Sequence, residues 1–139
     1  MNQAILDTDI YSEVLKSVYP NVARNAAIYR GFHGAFTISA ITLMEIVQGF
    51  ERTQNTRRMR SFLATVALDD ILEPDESAAE LAGRIAGGLD RVGQPIGTAD
   101  PLIAATAIVH GFDLITGNTA HFQRVQQLGH ALVLANWRQ

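Results

Sequence analysis

A repeated alternation restricts the fold of this chain more than any other feature: short apolar runs of strand length are followed, again and again, by stretches whose apolar residues recur at helical spacing. Ala4-Ile5-Leu6 is the first such run, closed by the polar Asp7-Thr8-Asp9 and followed by a helical pattern from Ile10 to about Val18. Ala35 to Ser39 reads as a second strand, ahead of Leu43, Ile46, Val47 and Phe50 at helical spacing. Met59, Phe62, Leu63 and Val66 mark another amphipathic helix, and Ile71-Leu72 before Pro74 a short strand. Ala78, Leu81, Ala82, Ile85, Leu89 and Val92 trace one face of a long helix, with Gly93 to Gly97 as a loop after it. Pro101 to His110 is an almost wholly apolar helix stopped at Gly111, and Asp113-Leu114-Ile115-Thr116 is a last strand. Short strands separated by helices are joined by crossovers, which put helices on both faces of a mainly parallel sheet. The expected fold is therefore α/β, a three-layer α/β/α sandwich.

With 139 residues, no repeat and no linker-like tract, residues 1–139 are expected to form one domain around one core. Hydrophobic residues at 47% and charged residues at 18% can bury such a core. No apolar stretch is long enough to span a bilayer, and an acid as early as Asp7 leaves no room for a secretory signal, so a cytoplasmic location is expected. The absence of cysteine excludes disulfides, thiolate metal sites and cysteine nucleophiles, so any metal must be held by oxygen or imidazole. A formal net charge of −3 does not describe a generically basic nucleic-acid binder.

In a parallel α/β fold the ligand crevice opens at the carboxyl ends of the strands. Asp7 ends the first strand, Glu45 lies one helical turn after the second, Asp100 opens the apolar helix, and Asn118 follows Ile115-Thr116-Gly117. Carboxylates brought together there repel one another unless a cation sits among them, and Mg2+ or Mn2+ is the simplest occupant. Magnesium takes oxygen ligands and shares its shell with water and substrate phosphate, which is nuclease chemistry, with one metal or two. The same residues have plain structural readings. Asp7 and Asp9 suit an Asx turn and a helix N-cap; Thr42-Leu43-Met44-Glu45 fits a capping box; Asp100-Pro101 looks like a cap followed by proline at the first helical position; Asn118-Thr119 suits a cap for Ala120 to Val125.

At these residues the sequence resembles the PIN-domain ribonucleases of bacterial VapC-type toxins. Ile5-Leu6-Asp7-Thr8-Asp9-Ile10 resembles the family's opening motif, with Asp9 in place of the usual Asn, and Ile38 to Glu45 resembles its second and most specific motif. Gly97 to Ala107, around Asp100, is similar to the third; Leu114 to Thr119 followed by Phe122 is similar to the fourth; Asn136-Trp137 resembles the usual end. The resemblance implies metal binding by Asp7, Glu45 and Asp100, with Asn118 in the catalytic set, and RNA cleavage that stops translation until a small VapB-like antitoxin blocks the site. It also implies a homodimer that meets DNA only through the antitoxin, and no membrane partner. Two positions depart from the pattern: Asn118 stands where many relatives carry an acid, and His121 where an acidic residue often precedes the Phe. Asn118 retains a carbonyl that can coordinate or orient a water, without adding charge.

Thr8 and Thr116 are placed to hydrogen-bond neighbouring carboxylates. Arg52, Arg57, Arg58 and Arg60 form the densest positive cluster, suited to RNA phosphates, to an antitoxin, or to a solvated helix face softened by Glu51, Asp69 and Asp70. His110 suits a helix C-terminus and Trp137 a packing anchor. Two rival functions remain. One is a catalytically inactive PIN-like binding module. The other is an aspartate-nucleophile phosphohydrolase, since Asp7-Thr8-Asp9 also resembles the opening of haloacid-dehalogenase-like enzymes, although the lysine those enzymes need has only Lys16 to supply it.

Overall fold

Five strands, all paired in parallel, carry the architecture of the computed structural model, which describes residues 1–139. In chain order the elements are β1 (Ala4–Leu6), α1 (Thr8–Lys16), α2 (Pro20–His33), β2 (Thr37–Ser39), α3 (Ala40–Arg52), α4 (Thr56–Val66) and β3 (Asp70–Leu72). They continue with α5 (Glu76–Arg91), α6 (Ala99–His110), β4 (Asp113–Ile115), α7 (Thr119–Gln127) and β5 (Leu134–Ala135). The ladder β1-β4-β5 and the pair β2-β3 form the centre. Because a strand turns successive side chains to opposite faces, β1 feeds two cores at once. Ile5 packs with α5, α6 and α7 through Ile85, Leu89, Ile103 and Phe122, whereas Ala4 and Leu6 pack with α1, α2 and α4 through Tyr11, Val22, Tyr29 and Phe62. Leu114 and Ile115 of β4 divide the same way. The sheet is thus covered on both faces, as the sequence alternation predicts.

The elements differ from the sequence reading in three ways. α2 is absent from that reading: Pro20 starts it and Val22, Ala26 and Tyr29 are buried, but exposed Ile28 and Phe32 blur its apolar stripe. β5 is likewise unanticipated, since two half-buried residues carry too little pattern to mark a strand. Finally, α1, α3 and α6 begin at Thr8, Ala40 and Ala99, two or three residues ahead of Ile10, Leu43 and Pro101, where the sequence pattern marks them.

β1 lies against β2, yet the two ladders remain separate. Tyr29 explains how β1 tolerates this. Its buried hydroxyl accepts from the Ala4 N–H at 3.1 Å and donates to the Ala4 carbonyl at 3.2 Å, serving both backbone groups of a buried residue. The Tyr29 ring meanwhile stacks on Phe36, with centroids 5.9 Å apart, and meets Trp137 at 5.7 Å. Tyr29→Phe keeps the ring and strips both Ala4 groups of their partner, so a loss of about 1–3 kcal/mol is expected in urea unfolding. A midpoint equal to that of the unaltered chain would show that Ala4 finds another partner.

Candidate active site

The ladder between β1 and β4 runs one residue past the strands, through the Asp7 N–H to the Ile115 carbonyl at 2.8 Å. That bond sets Asp7 and Thr116 side by side at the two strand ends. Asp7 is also the N-cap of α1: Oδ1 accepts from the Thr8 N–H at 2.9 Å, while Oδ2 accepts from the Thr116 hydroxyl at 2.8 Å. The residue is only 7% exposed. Burial, and after it the charge of Asp9, push its pKa up to about 7, against the opposing hydrogen bond from Thr116; the charge of Asp100 adds to the rise.

Glu45 reaches the same place from α3. The capping box expected at Thr42–Glu45 does not form, because β2 runs directly into the helix and Ser39 is the cap, its side chain accepting from the Ile41 N–H at 3.1 Å. Glu45 therefore lies in the second turn with its side chain free to extend. Its Oε1 accepts from the Thr8 hydroxyl at 2.7 Å. Thr8 Oγ1 is in turn 3.0 Å from Thr42 Oγ1; with the Thr8 proton directed to Glu45, the Thr42 hydroxyl is the donor of that pair. Thr8 and Thr116 thus hold carboxylates as the sequence reading expects.

Asp100 is not a cap either. α6 begins at Ala99, which puts Asp100 within the first turn, where the helix dipole favours an anion. Its Oδ2 lies 2.9 Å from Nδ1 of His121 on α7. Burial raises its pKa, the His121 ring opposes the rise, and the charges of Glu45 and then Asp9 reinforce it. The charge of Asp100 thus contributes to the rise at Asp7, and that of Glu45 to the rise at Asp100. No three His, Asp or Glu side chains converge closely enough to hold a metal ion as they stand. Asn118 is exposed and makes no capping bond with its side chain. Its backbone N–H donates to Thr116 Oγ1 at 3.0 Å, so one hydroxyl links Asn118 to Asp7.

Arg138 enters the site without a signal in the sequence. Trp137 is buried between Tyr29 and Phe36, Asn25 donates to its carbonyl at 3.1 Å, and the chain is thereby pinned across α1 and α2. The next residue grips Glu13 through two guanidinium nitrogens and lies 3.4 Å from Asp9 Oδ2. Asp9 also accepts from the Gly117 N–H at 3.0 Å and from the Ile10 N–H at 2.7 Å. A β-carbon at Gly117 would meet the Arg138 guanidinium, so a larger residue there would displace that side chain from Asp9. The expected anchoring role of Trp137 is what brings Arg138 in.

Other charged positions are further from this chemistry. Arg52, Arg57, Arg58 and Arg60 are exposed and make no ion pair. Asp69 does not soften that cluster: it accepts from the Tyr11 hydroxyl at 2.7 Å and the Phe36 N–H at 3.1 Å. His110 ends α6 with Nδ1 2.9 Å from the Thr106 carbonyl. Lys16 closes α1. Asp9 has both oxygens committed, which is unsuited to the general acid of a phosphohydrolase. A hollow of about 520 Å3 beside Arg84, Arg91 and His130 contains none of the acids, so cavity volume is a poor guide here.

Known proteins join these features to a family. The family description "PIN domain" matches residues 4–128. A tRNA(fMet)-specific endonuclease VapC of Shigella flexneri is 33% identical over 126 residues, covering 90% of this chain and 93% of the relative. A ribonuclease VapC1 of Rickettsia felis is 37% identical over 100 residues, covering 69% and 75%. Among solved structures, DNA-bound VapBC of Salmonella typhimurium superposes with a TM-score of 0.82 at 26% identity, over 99% of each chain. VapBC-1 of nontypeable Haemophilus influenzae gives 0.80 at 26%, over 98% of each. With its fold, its motifs and nearly its whole length matched, the chain belongs to the PIN-domain family, alongside the VapC ribonucleases.

Proposed function

We propose that this chain is a divalent-metal-dependent endoribonuclease acting as the toxin of a toxin–antitoxin pair. The observation that carries the reading is Asp7, a carboxyl almost removed from water and crowded by further acids at the carboxyl ends of parallel strands. No cationic side chain pairs with it. Such a group is a poor structural choice unless a cation is meant to reside there. Asp7, Glu45 and Asp100 would supply Mg2+ or Mn2+ with oxygen donors, and water and substrate phosphate would complete its shell. When bound, a divalent cation supplies charge neutralisation for a phosphodiester and a more acidic water.

The residues around the acids do the positioning. Thr116 and Thr8 fix the Asp7 and Glu45 carboxylates in their rotamers. The first turn of α6 favours negative charge at Asp100. Asn118, at the rim, offers an uncharged amide to orient a water or a phosphate oxygen. Kinship with proteins named as VapC ribonucleases, and with toxins solved as VapBC complexes, supports RNA as substrate and a small VapB-like antitoxin as partner. The cytoplasm is then the site of action, a homodimer the working unit, and contact with DNA indirect. A full-length relative named for tRNA(fMet) makes initiator tRNA the first substrate to try.

Two outcomes are expected. Asp7→Asn, Glu45→Gln and Asp100→Asn preserve size and keep one accepting oxygen, with the Thr116 hydroxyl free to turn and accept from the new amide at position 7, so each should melt close to the unaltered chain. Each should also lose cleavage of total RNA and initiator tRNA by more than the roughly 10- to 100-fold typical of a lost outer-shell contact. Chelator should do the same to the unaltered chain, and full activity in all three variants would reduce the acids to structural roles. The second outcome concerns pH. Asp7 keeps its proton to about pH 7 when folded and releases it near 3.8 when unfolded, so the unfolded state holds fewer protons in between. Stability without metal should therefore fall as pH rises across that window, with Asp9 and Asp100 acting in the same direction. Urea midpoints of Asp7→Asn should fall less steeply, and added Mn2+ should stabilise the unaltered chain more than the variant near neutrality. Equal slopes would mean that Asp7 ionises freely in the fold.

A further inference from the structure

We infer that His121 is a metal ligand, so that this site presents imidazole nitrogen beside its carboxylates and favours Mn2+, or a later transition metal, over Mg2+. The inference rests on the metal-dependent reading above and adds to it an inner-sphere nitrogen. Its basis is one atom. His121 Nδ1 is buried and makes no aligned hydrogen bond to any group, the one buried side-chain polar atom left in that condition. It nevertheless lies 2.9 Å from Asp100 Oδ2, with the oxygen off the line along which the ring nitrogen would donate.

Two donor atoms lying side by side at this spacing have a simple geometric meaning. Neighbouring ligands on an octahedral shell at about 2.1 Å from a cation are roughly 3.0 Å apart, the edge of the octahedron. The 2.9 Å separation matches that edge, while the angular mismatch leaves the contact short of a good hydrogen bond. An unpaired buried nitrogen costs stability unless something fills it, and a shared cation would satisfy both atoms. The backbone holds the pair in register: Asp100 sits in the first turn of α6 and His121 in the first turn of α7, next to the buried Phe122. Imidazole suits transition metals better than magnesium, which sets the direction of the preference.

Pulsed EPR of the Mn2+-loaded chain tests the inference without reference to activity. Loss of the free-ion signal on titration reports binding, and modulation from a directly coordinated nitrogen reports His121. The unaltered chain should show that modulation, and His121→Leu, checked for folding by circular dichroism, should lose it and weaken Mn2+ by at least about tenfold. His121→Glu should recover tight binding while moving the Mg2+ to Mn2+ affinity ratio toward Mg2+ by a similar factor. Bound Mn2+ without nitrogen modulation in the unaltered chain, or modulation that survives in His121→Leu, overturns the imidazole ligand and leaves the metal reading standing. Failure of the unaltered chain to bind Mn2+ overturns both.

Discussion

Asp7 leaves β1 where the neighbouring strand β4 also ends, and the last bond of their ladder, from the Asp7 N–H to the Ile115 carbonyl, forces a carboxyl and a hydroxyl out side by side. Because β1 is buried on both faces, that carboxyl is delivered into a place with little water. Each neighbouring feature answers this. Thr116 donates to one oxygen, the first amide of α1 to the other, and the remaining acids approach across the ends of the adjacent elements. Parallel pairing is the cause: antiparallel strands would have sent their carboxyl ends to opposite edges of the sheet, and no cluster of strand-end acids would exist.

Capping and site chemistry are not competing explanations for these residues. Asp7 serves the helix with Oδ1 and the strand end with Oδ2, and Asp9 serves its own turn with one oxygen and Gly117 with the other. Glu45 and Asp100 are different. Neither closes a helix end; a hydroxyl from another element, Thr8, bonds the first, and the second has the His121 ring 2.9 Å away without an aligned hydrogen bond. Removing the capping role from a carboxylate inside a helix removes its simplest structural justification, and both residues therefore call for a reason outside their own helix.

Much of this was legible in advance for an identifiable reason. β1, β2, β3 and β4 are apolar runs closed by polar residues, so Asp7, Glu45 and Asn118 could be placed at or just beyond strand ends, and Asp100 at the start of the apolar helix, from the sequence alone. α2 escaped because its buried Val22, Ala26 and Tyr29 share the helix with exposed Ile28 and Phe32, which destroys the periodic signal. The false capping box at Thr42 came from a local motif that was real in letters but three residues inside the helix, a displacement caused by a strand running directly into it. Arg138 and the Asp100–His121 contact had no local signal at all, because each depends on segments far apart in sequence being folded against one another.

The charge pattern of the site follows from those non-local contacts. Arg138 neutralises the side formed by Asp9 and Glu13, and the Asn118 and His121 positions bring no fixed negative charge. Asp7 and Glu45 have only hydroxyl and amide partners. The acids without a guanidinium partner are therefore gathered on the Asp7, Glu45 and Asp100 side, where Asp100 has only the His121 ring beside it. The Arg138 guanidinium is itself occupied by Glu13 and Asp9, so it fixes that end of the acid cluster rather than adding free positive charge. Such asymmetry requires the C-terminal residues to stay docked, which ties the electrostatics of the cleft to the packing of Trp137 against Tyr29, the same side chain that closes the edge of β1.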